Sequence, residues 1–271
     1  MPVRAREAIR SLVPTRHGFM HVRLAGDGGT PTVLLHSQVV AGRLWDPIVS
    51  ELAQDRLVVI PDRIGFGHSD PCTRQLSFAD YADATIDALD ELGVGWCDLV
   101  GFHSGSIEAV ELATVHPSRV RRVVALLLAV FTDEEVRAFT ELIARPAPSP
   151  TPDGAHLNWY WKRWIDAYPQ RDDLRTVQGW VIDHLVCTKR YHETFLSALE
   201  YPMRDRLGSV TQPFLLLALH DDLLEQMRRA IPLLPAQAEV VEMPQVTNGM
   251  TTLTHHGDDV LRHVRGFLAA A

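Results

Sequence analysis

Val100-Gly101-Phe102-His103-Ser104-Gly105-Ser106 is the stretch on which the reading of this chain turns. It follows the apolar run Cys97-Asp98-Leu99 and precedes a helical pattern. A strand, a tight turn and a helix, with glycine two residues either side of the apex, have the spacing of a nucleophile elbow. The apex backbone of such a turn is strained, so only small residues fit at −2 and +2. Gly101 and Gly105 stand at those positions, and the residue between them is His103. A serine would be expected there.

Working outward, residues 32–36, 57–60, 98–102 and 119–130 are apolar runs of the length of buried strands. Helical spacing separates them at 44–52, 77–92 and 104–115, with Ser77 and Asp80 placed as a capping box. Residues 9–13 and 18–24 alternate as a leading antiparallel pair. From Phe131 to about Leu207 there is no strand signal. Helical stretches there are broken by the proline-rich run from Pro146 to Pro152, and aromatics gather: Trp159, Tyr160, Trp161, Trp164, Tyr168, Trp180, Tyr191, Phe195 and Tyr201. Strand character returns at 213–218 and 238–243, with a helix at 224–234 and a final helix from about 258 to 270. Strands alternating with helices predict a mostly parallel eight-stranded sheet with helices on both faces. The helical stretch after the sixth strand predicts a cap over the strand ends, where ligands of such sheets bind. The expected division is 1–131 and 208–271 for the core and 132–207 for the cap.

Composition narrows the partners. The 271 residues are 46% hydrophobic and 22% charged, with a formal net charge of −8. That balance argues against nucleic acid, which needs a clustered basic face. Arg119, Arg121 and Arg122 read better as a solvated strand edge. No apolar run reaches the roughly 18 residues of a membrane span. The basic residues 1–10 have no apolar stretch behind them, so a secretory signal is not expected. Three scattered cysteines, Cys72, Cys97 and Cys187, suggest a reducing cytoplasm without disulfides. The histidines show no metal-ligand spacing and no phosphate or dinucleotide loop is present, so no cofactor is expected.

Three motifs carry a resemblance. His36-Ser37-Gln38-Val39-Val40-Ala41-Gly42-Arg43-Leu44-Trp45 resembles the H-G-x-P-x-S-x-x-L-W segment of haloalkane-dehalogenase-like and epoxide-hydrolase-like members of the α/β-hydrolase superfamily. Pro61-Asp62-Arg63-Ile64-Gly65-Phe66-Gly67-His68-Ser69-Asp70 resembles their P-D-x-x-G-x-G-x-S-D loop. The elbow helix ends in His116-Pro117, as theirs do. The resemblance implies the α/β-hydrolase fold over about residues 15–269. It also implies a triad, of which this chain keeps one member. Counting back 14 residues from Pro117 gives His103 at the nucleophile position. Counting back 17 from Phe267 gives Met250 at the histidine position. Asp222, in Leu219-His220-Asp221-Asp222, fits the acid. A register with Ser104 at the apex would put bulky Phe102 at −2.

Methionine takes no proton, so the ordinary serine mechanism lacks its base. Two oxyanion donors, the backbone N–H groups of Ser104 and Gln38, survive side-chain replacement, although Ser37 replaces the usual glycine. His103 and Asp222 are the candidate catalytic groups. Ser37, Gln38, Val39, Ser104, Phe131, Trp159, Trp164, Trp180 and Met250 are the candidate substrate contacts. The first reading is a cofactor-independent epimerase or isomerase of peptide natural-product biosynthesis, moving a proton at a carbon next to a carbonyl of a small molecule or modified peptide. In outline the pattern is similar to α/β-hydrolase-like peptide epimerases of bottromycin-type pathways, in which the substrate's own carboxylate assists. The alternatives are a hydrolase with displaced machinery (Ser104, Asp222 and His255 or His256) and a catalytically silent binding protein.

Overall fold

The computed structural model describes residues 9–143, 148–187 and 191–270. The residues before 9, Pro146 and Ala147 of the proline-rich run, and the Tyr191 side chain lie outside them.

Eight strands form one sheet: β1 (Ile9–Thr15), β2 (Gly18–Ala25), β3 (Thr32–Leu35), β4 (Val58–Pro61), β5 (Cys97–Phe102), β6 (Val120–Leu126), β7 (Phe214–Leu219) and β8 (Glu239–Met243). Their spatial order is β1-β2-β4-β3-β5-β6-β7-β8. β1 and β2 pair antiparallel, as do β2 and β4, and the remaining pairs are parallel. Every residue of β3, β4, β5 and β7 is buried, as expected of strands covered on both faces. Alternate residues feed two apolar layers. Val33, Leu99, Val123 and Leu216 join α2 (Phe78–Glu91), α3 (Ser104–Val115) and α8 (Met203–Leu207). Leu34, Val100, Val124 and Leu217 join α1 (Asp46–Leu52), α9 (Leu224–Ala230) and α10 (Thr252–Ala269). The α/β-hydrolase fold expected from the motifs is the fold observed.

Ser77 caps α2 with Asp80 in the reciprocal box that the sequence predicted. Two boundaries differ from expectation. β6 stops at Leu126, because Leu127 takes a left-handed conformation (φ 57°) that turns the chain out of the sheet. α10 starts six residues earlier than read. Asn248 accepts the N–H of Thr251 at 3.2 Å and caps a short 3-10 turn that runs into the helix, and His256 kinks it. Between β6 and β7 lie α4 (Asp133–Ile143), α5 (Ala155–Asp166), α6 (Leu174–Val186), α7 (Tyr191–Leu199) and α8. No helix among the described residues is long and apolar enough to cross a membrane.

Candidate active site

The β5–α3 turn is built around His103, whose φ of 53° and ψ of −114° lie where L-residues seldom go. Its N–H donates to the Leu126 carbonyl at 2.8 Å, and its own carbonyl accepts the Ser106 N–H at 2.9 Å. The Ser106 hydroxyl lies 2.9 Å from the Gly101 carbonyl and 2.8 Å from that of Leu126, stitching the turn to β6. A Cβ on Gly101 would strike the Gly105 backbone, and one on Gly105 the Leu35 carbonyl. The strained residue is therefore His103, and Ser104 is the first helical residue.

Ser104 is fully buried and its hydroxyl is committed. Ser104 Oγ accepts the backbone N–H of Gln38 at 2.9 Å and Arg63 Nη1 at 3.3 Å. This corrects an expectation. The Gln38 N–H does not face an open oxyanion hole, because the Ser104 hydroxyl fills it. The Ser104 N–H, at the start of α3, has no intrahelical acceptor by position and stays available as a donor. The Gln38 side chain reaches the cap and donates to the Thr194 carbonyl. Its Oε1 is buried without a hydrogen-bond partner among the described residues. Val39 follows at φ 58°, and Ser37 and Val39 are both buried.

A polar stack supports this loop from the α2–α3 side. Arg63 donates through Nε to Glu108 at 2.9 Å, with Nη2 at 2.8 Å, and Glu108 accepts the Thr85 hydroxyl at 2.7 Å. The guanidinium lies over Tyr81 and Phe78. His36 Nε2 accepts the Arg63 N–H at 2.8 Å, which places the ring proton on Nδ1, 2.6 Å from the Ser37 carbonyl. Burial, with help from Arg63, pushes His36 down to about 4, so the ring stays neutral as this pattern requires.

The acid position holds two carboxylates of different character. Asp222 is exposed, and its charge opposes the burial that lowers the pKa of His103; Arg63 adds to the lowering. No hydrogen bond joins His103 and Asp222 among the described residues. Asp221, which the spacing argument passed over, is the half-buried one. It accepts the Leu223 N–H at 2.9 Å, and its Oδ2 lies 2.6 Å from where a Cβ on Gly249 would be. Burial raises Asp221 to about 6, against the Leu223 N–H. The adjacent pair of aspartates was the available signal. Gly249 precedes Met250, which is half-buried and packs on the apolar layer that holds Leu127, Trp164 and Trp180.

His255 is half-buried. Its Nε2 lies 3.2 Å from Asp172 and 3.3 Å from the Tyr168 hydroxyl, at the seam between cap and α10. The displaced triad of Ser104 with His255 therefore does not assemble: its serine is committed to Gln38 and its histidine to Asp172. The expected aromatic contacts also separate. Trp164 and Trp180 are buried against each other at 5.6 Å. Trp159 is exposed and meets Tyr160, and Phe131 meets Phe139. These pairs pack the cap. Among the described residues no group of three His, Cys, Asp or Glu side chains could hold a metal ion.

A family model described as the α/β-hydrolase fold matches residues 31–149, a stretch that contains β3, the elbow and β6. The match agrees with the α/β-hydrolase fold that the sheet and the elbow display. Among curated proteins, 2-hydroxymuconate semialdehyde hydrolase of Pseudomonas sp. (strain CF600) is 37% identical over 102 residues, or 36% of each chain. The match thus spans about a third of that relative's length. A hydrolase from Pseudomonas aeruginosa PA01 superposes with TM-score 0.79 at 18% identity, covering 98% of this chain and 100% of that one. The enol-lactonase from Burkholderia xenovorans LB400 superposes with TM-score 0.79 at 20% identity, covering 96% and 100%. At such identities the structures speak to fold alone. The curated relative carries a hydrolase name, which favours the hydrolase alternative over the epimerase reading.

Proposed function

We propose that the protein is a hydrolase of a small carbonyl compound in which His103 acts as a general base on water, replacing the serine nucleophile. The observation that carries this is an imidazole at the apex of the elbow, its pKa lowered by burial and by Arg63 against the charge of Asp222. A neutral imidazole takes a proton from water as the oxygen attacks the carbonyl carbon, and Asp222 steadies the imidazolium that forms. The tetrahedral oxyanion meets the Ser104 N–H at the start of α3. Collapse expels the leaving group, which takes the proton back from His103. Gln38 Oε1, a buried acceptor without a partner among the described residues, would take a substrate N–H or O–H.

The test is turnover of p-nitrophenyl esters and enol-lactones by wild type, His103→Gln and Ser104→Ala. His103→Gln is expected to lose roughly 10²–10⁴-fold in kcat, with no acyl-enzyme burst in the wild type. Turnover abolished by Ser104→Ala, or an acyl group trapped on Ser104, would overturn the proposal. The same neutral imidazole favours one second reading, proton abstraction and return next to a carbonyl of a small molecule or modified peptide. Deuterium entering a substrate α-carbon in D2O without hydrolysis would select it. Binding without either reaction would select a silent receptor.

A further inference from the structure

The sheet carries a buried histidine–aspartate pair, remote in sequence from the elbow. His21 on β2 is buried, its side chain 9% exposed, and its Nδ1 lies 2.8 Å from Asp62 Oδ2. Asp62 is itself buried and anchored. It accepts the Gly42 N–H at 2.8 Å and the His68 N–H at 3.0 Å. Since the carboxylate can only accept, Nδ1 carries the ring proton, and Nε2 is the atom left for another partner. His21 lines a surface recess of about 320 Å³ together with Arg10, Ser11, Leu12 and His68.

The polar side chains of the lining share one chemical character. Leu12 lies opposite His21 in the β1–β2 ladder, so Arg10, two residues along β1, rises on the same face as His21. The Arg10 guanidinium makes no hydrogen bond or ion pair among the described residues. The exposed His68 ring stands edge-on to His21 at 5.1 Å between centroids. A guanidinium and two imidazoles meet here, and Asp62 is turned to His21 and to backbone N–H groups. Neighbouring Arg23 is already occupied by Asp46 and the Gly42 carbonyl. A guanidinium in the lining disfavours a cation.

We propose that this recess is a binding site for a small oxyanion, a carboxylate or a phosphate, held by Arg10 as a fork and by His21 and His68. The anion joins a relay in which the His21 ring lies between the bound oxyanion and Asp62, the buried carboxylate fixing which nitrogen faces the ligand. The site is independent of the reaction proposed at His103.

The test is a titration of the intact protein with inorganic phosphate and, separately, with acetate, following the histidine ring resonances by NMR at constant ionic strength and pH. The expected result is saturable movement of the His21 and His68 signals with one of the two anions, and affinity at least tenfold weaker in Arg10→Gln. Arg10 is exposed and His68 is a surface residue, so Arg10→Gln and His68→Gln are used in place of a change at buried His21. Movement with phosphate alone assigns a phosphate site, and movement with acetate assigns a carboxylate site. No movement, the same movement with sodium chloride, or an affinity unchanged by Arg10→Gln would each overturn the proposal.

Discussion

At the apex of the elbow a histidine sits in a backbone conformation that costs a residue with a Cβ about 1–2 kcal/mol relative to glycine. The hydrogen bonds to Leu126 and Ser106 hold it there. Comparing His103→Gly with His103→Ala isolates this strain, since both lose the ring. The glycine variant is expected to be the more stable by about 1–2 kcal/mol, read from the difference in thermal midpoints. The ring's own chemistry predicts a pH profile. Its pKa lies below 6.5, so the base is present at neutral pH and kcat/KM falls only on acidification past that lowered value. A profile that declines already from pH 8 to 7 would contradict this. Ser104→Ala carries the opposite sign to a nucleophile mutation. It frees the Gln38 N–H for the oxyanion and is expected to keep or raise kcat. His103 at the apex was legible because two glycines and a proline fix the count on either side. Asp221 was not legible, because only its neighbours in space, Gly249 and Leu127, distinguish it from Asp222.

At the scale of elements, the elbow depends on the close approach of α3 to β3. Gly105→Ala places a methyl group inside the Leu35 carbonyl, and loss of several kcal/mol is expected in a denaturant midpoint. Beneath the turn the Arg63–Glu108 pair joins the loop after β4 to α3. Arg63→Met leaves Glu108 buried and uncompensated and is expected to cost ~3–5 kcal/mol in the same measurement. The buried strands were readable because continuous apolar runs of strand length admit few other fates. The start of α10 was misread for a physical reason: Thr252, Thr254, His255 and His256 look like loop residues. Their helix is set by the Asn248 cap and by the grip of Asp172 on His255, neither visible along the chain.

Across the whole molecule, cap and core are clasped by polar contacts. Asn248 Nδ2 donates to the Ala167 carbonyl at 3.1 Å, and Asp183 of α6 accepts the Ala41 N–H at 3.1 Å beside Arg43 at 2.9 Å. Burial raises Asp183 to about 6. Stability therefore has competing slopes in acid. His36, lowered to about 4, binds its proton more readily unfolded, so its contribution is lost as pH falls from 6.5 toward 4. Asp183 and Asp221, both raised, act in the other direction as pH falls from about 6. The His36 part is isolated as the difference between wild type and His36→Gln. That difference is expected to shrink with acidification by on the order of 3 kcal/mol.

The ladder from Val123↔Phe214 to Leu126↔Leu217 joins two strands across the whole cap. Bringing together the ends of a long connection is an entropic matter that grows only with the logarithm of its length, at about 0.6 kcal/mol per doubling. The sheet is therefore nearly indifferent to how many residues lie between β6 and β7. A lineage could lengthen, shorten or replace those helices, and so alter what reaches the imidazole, while the elbow and its glycines stay in place.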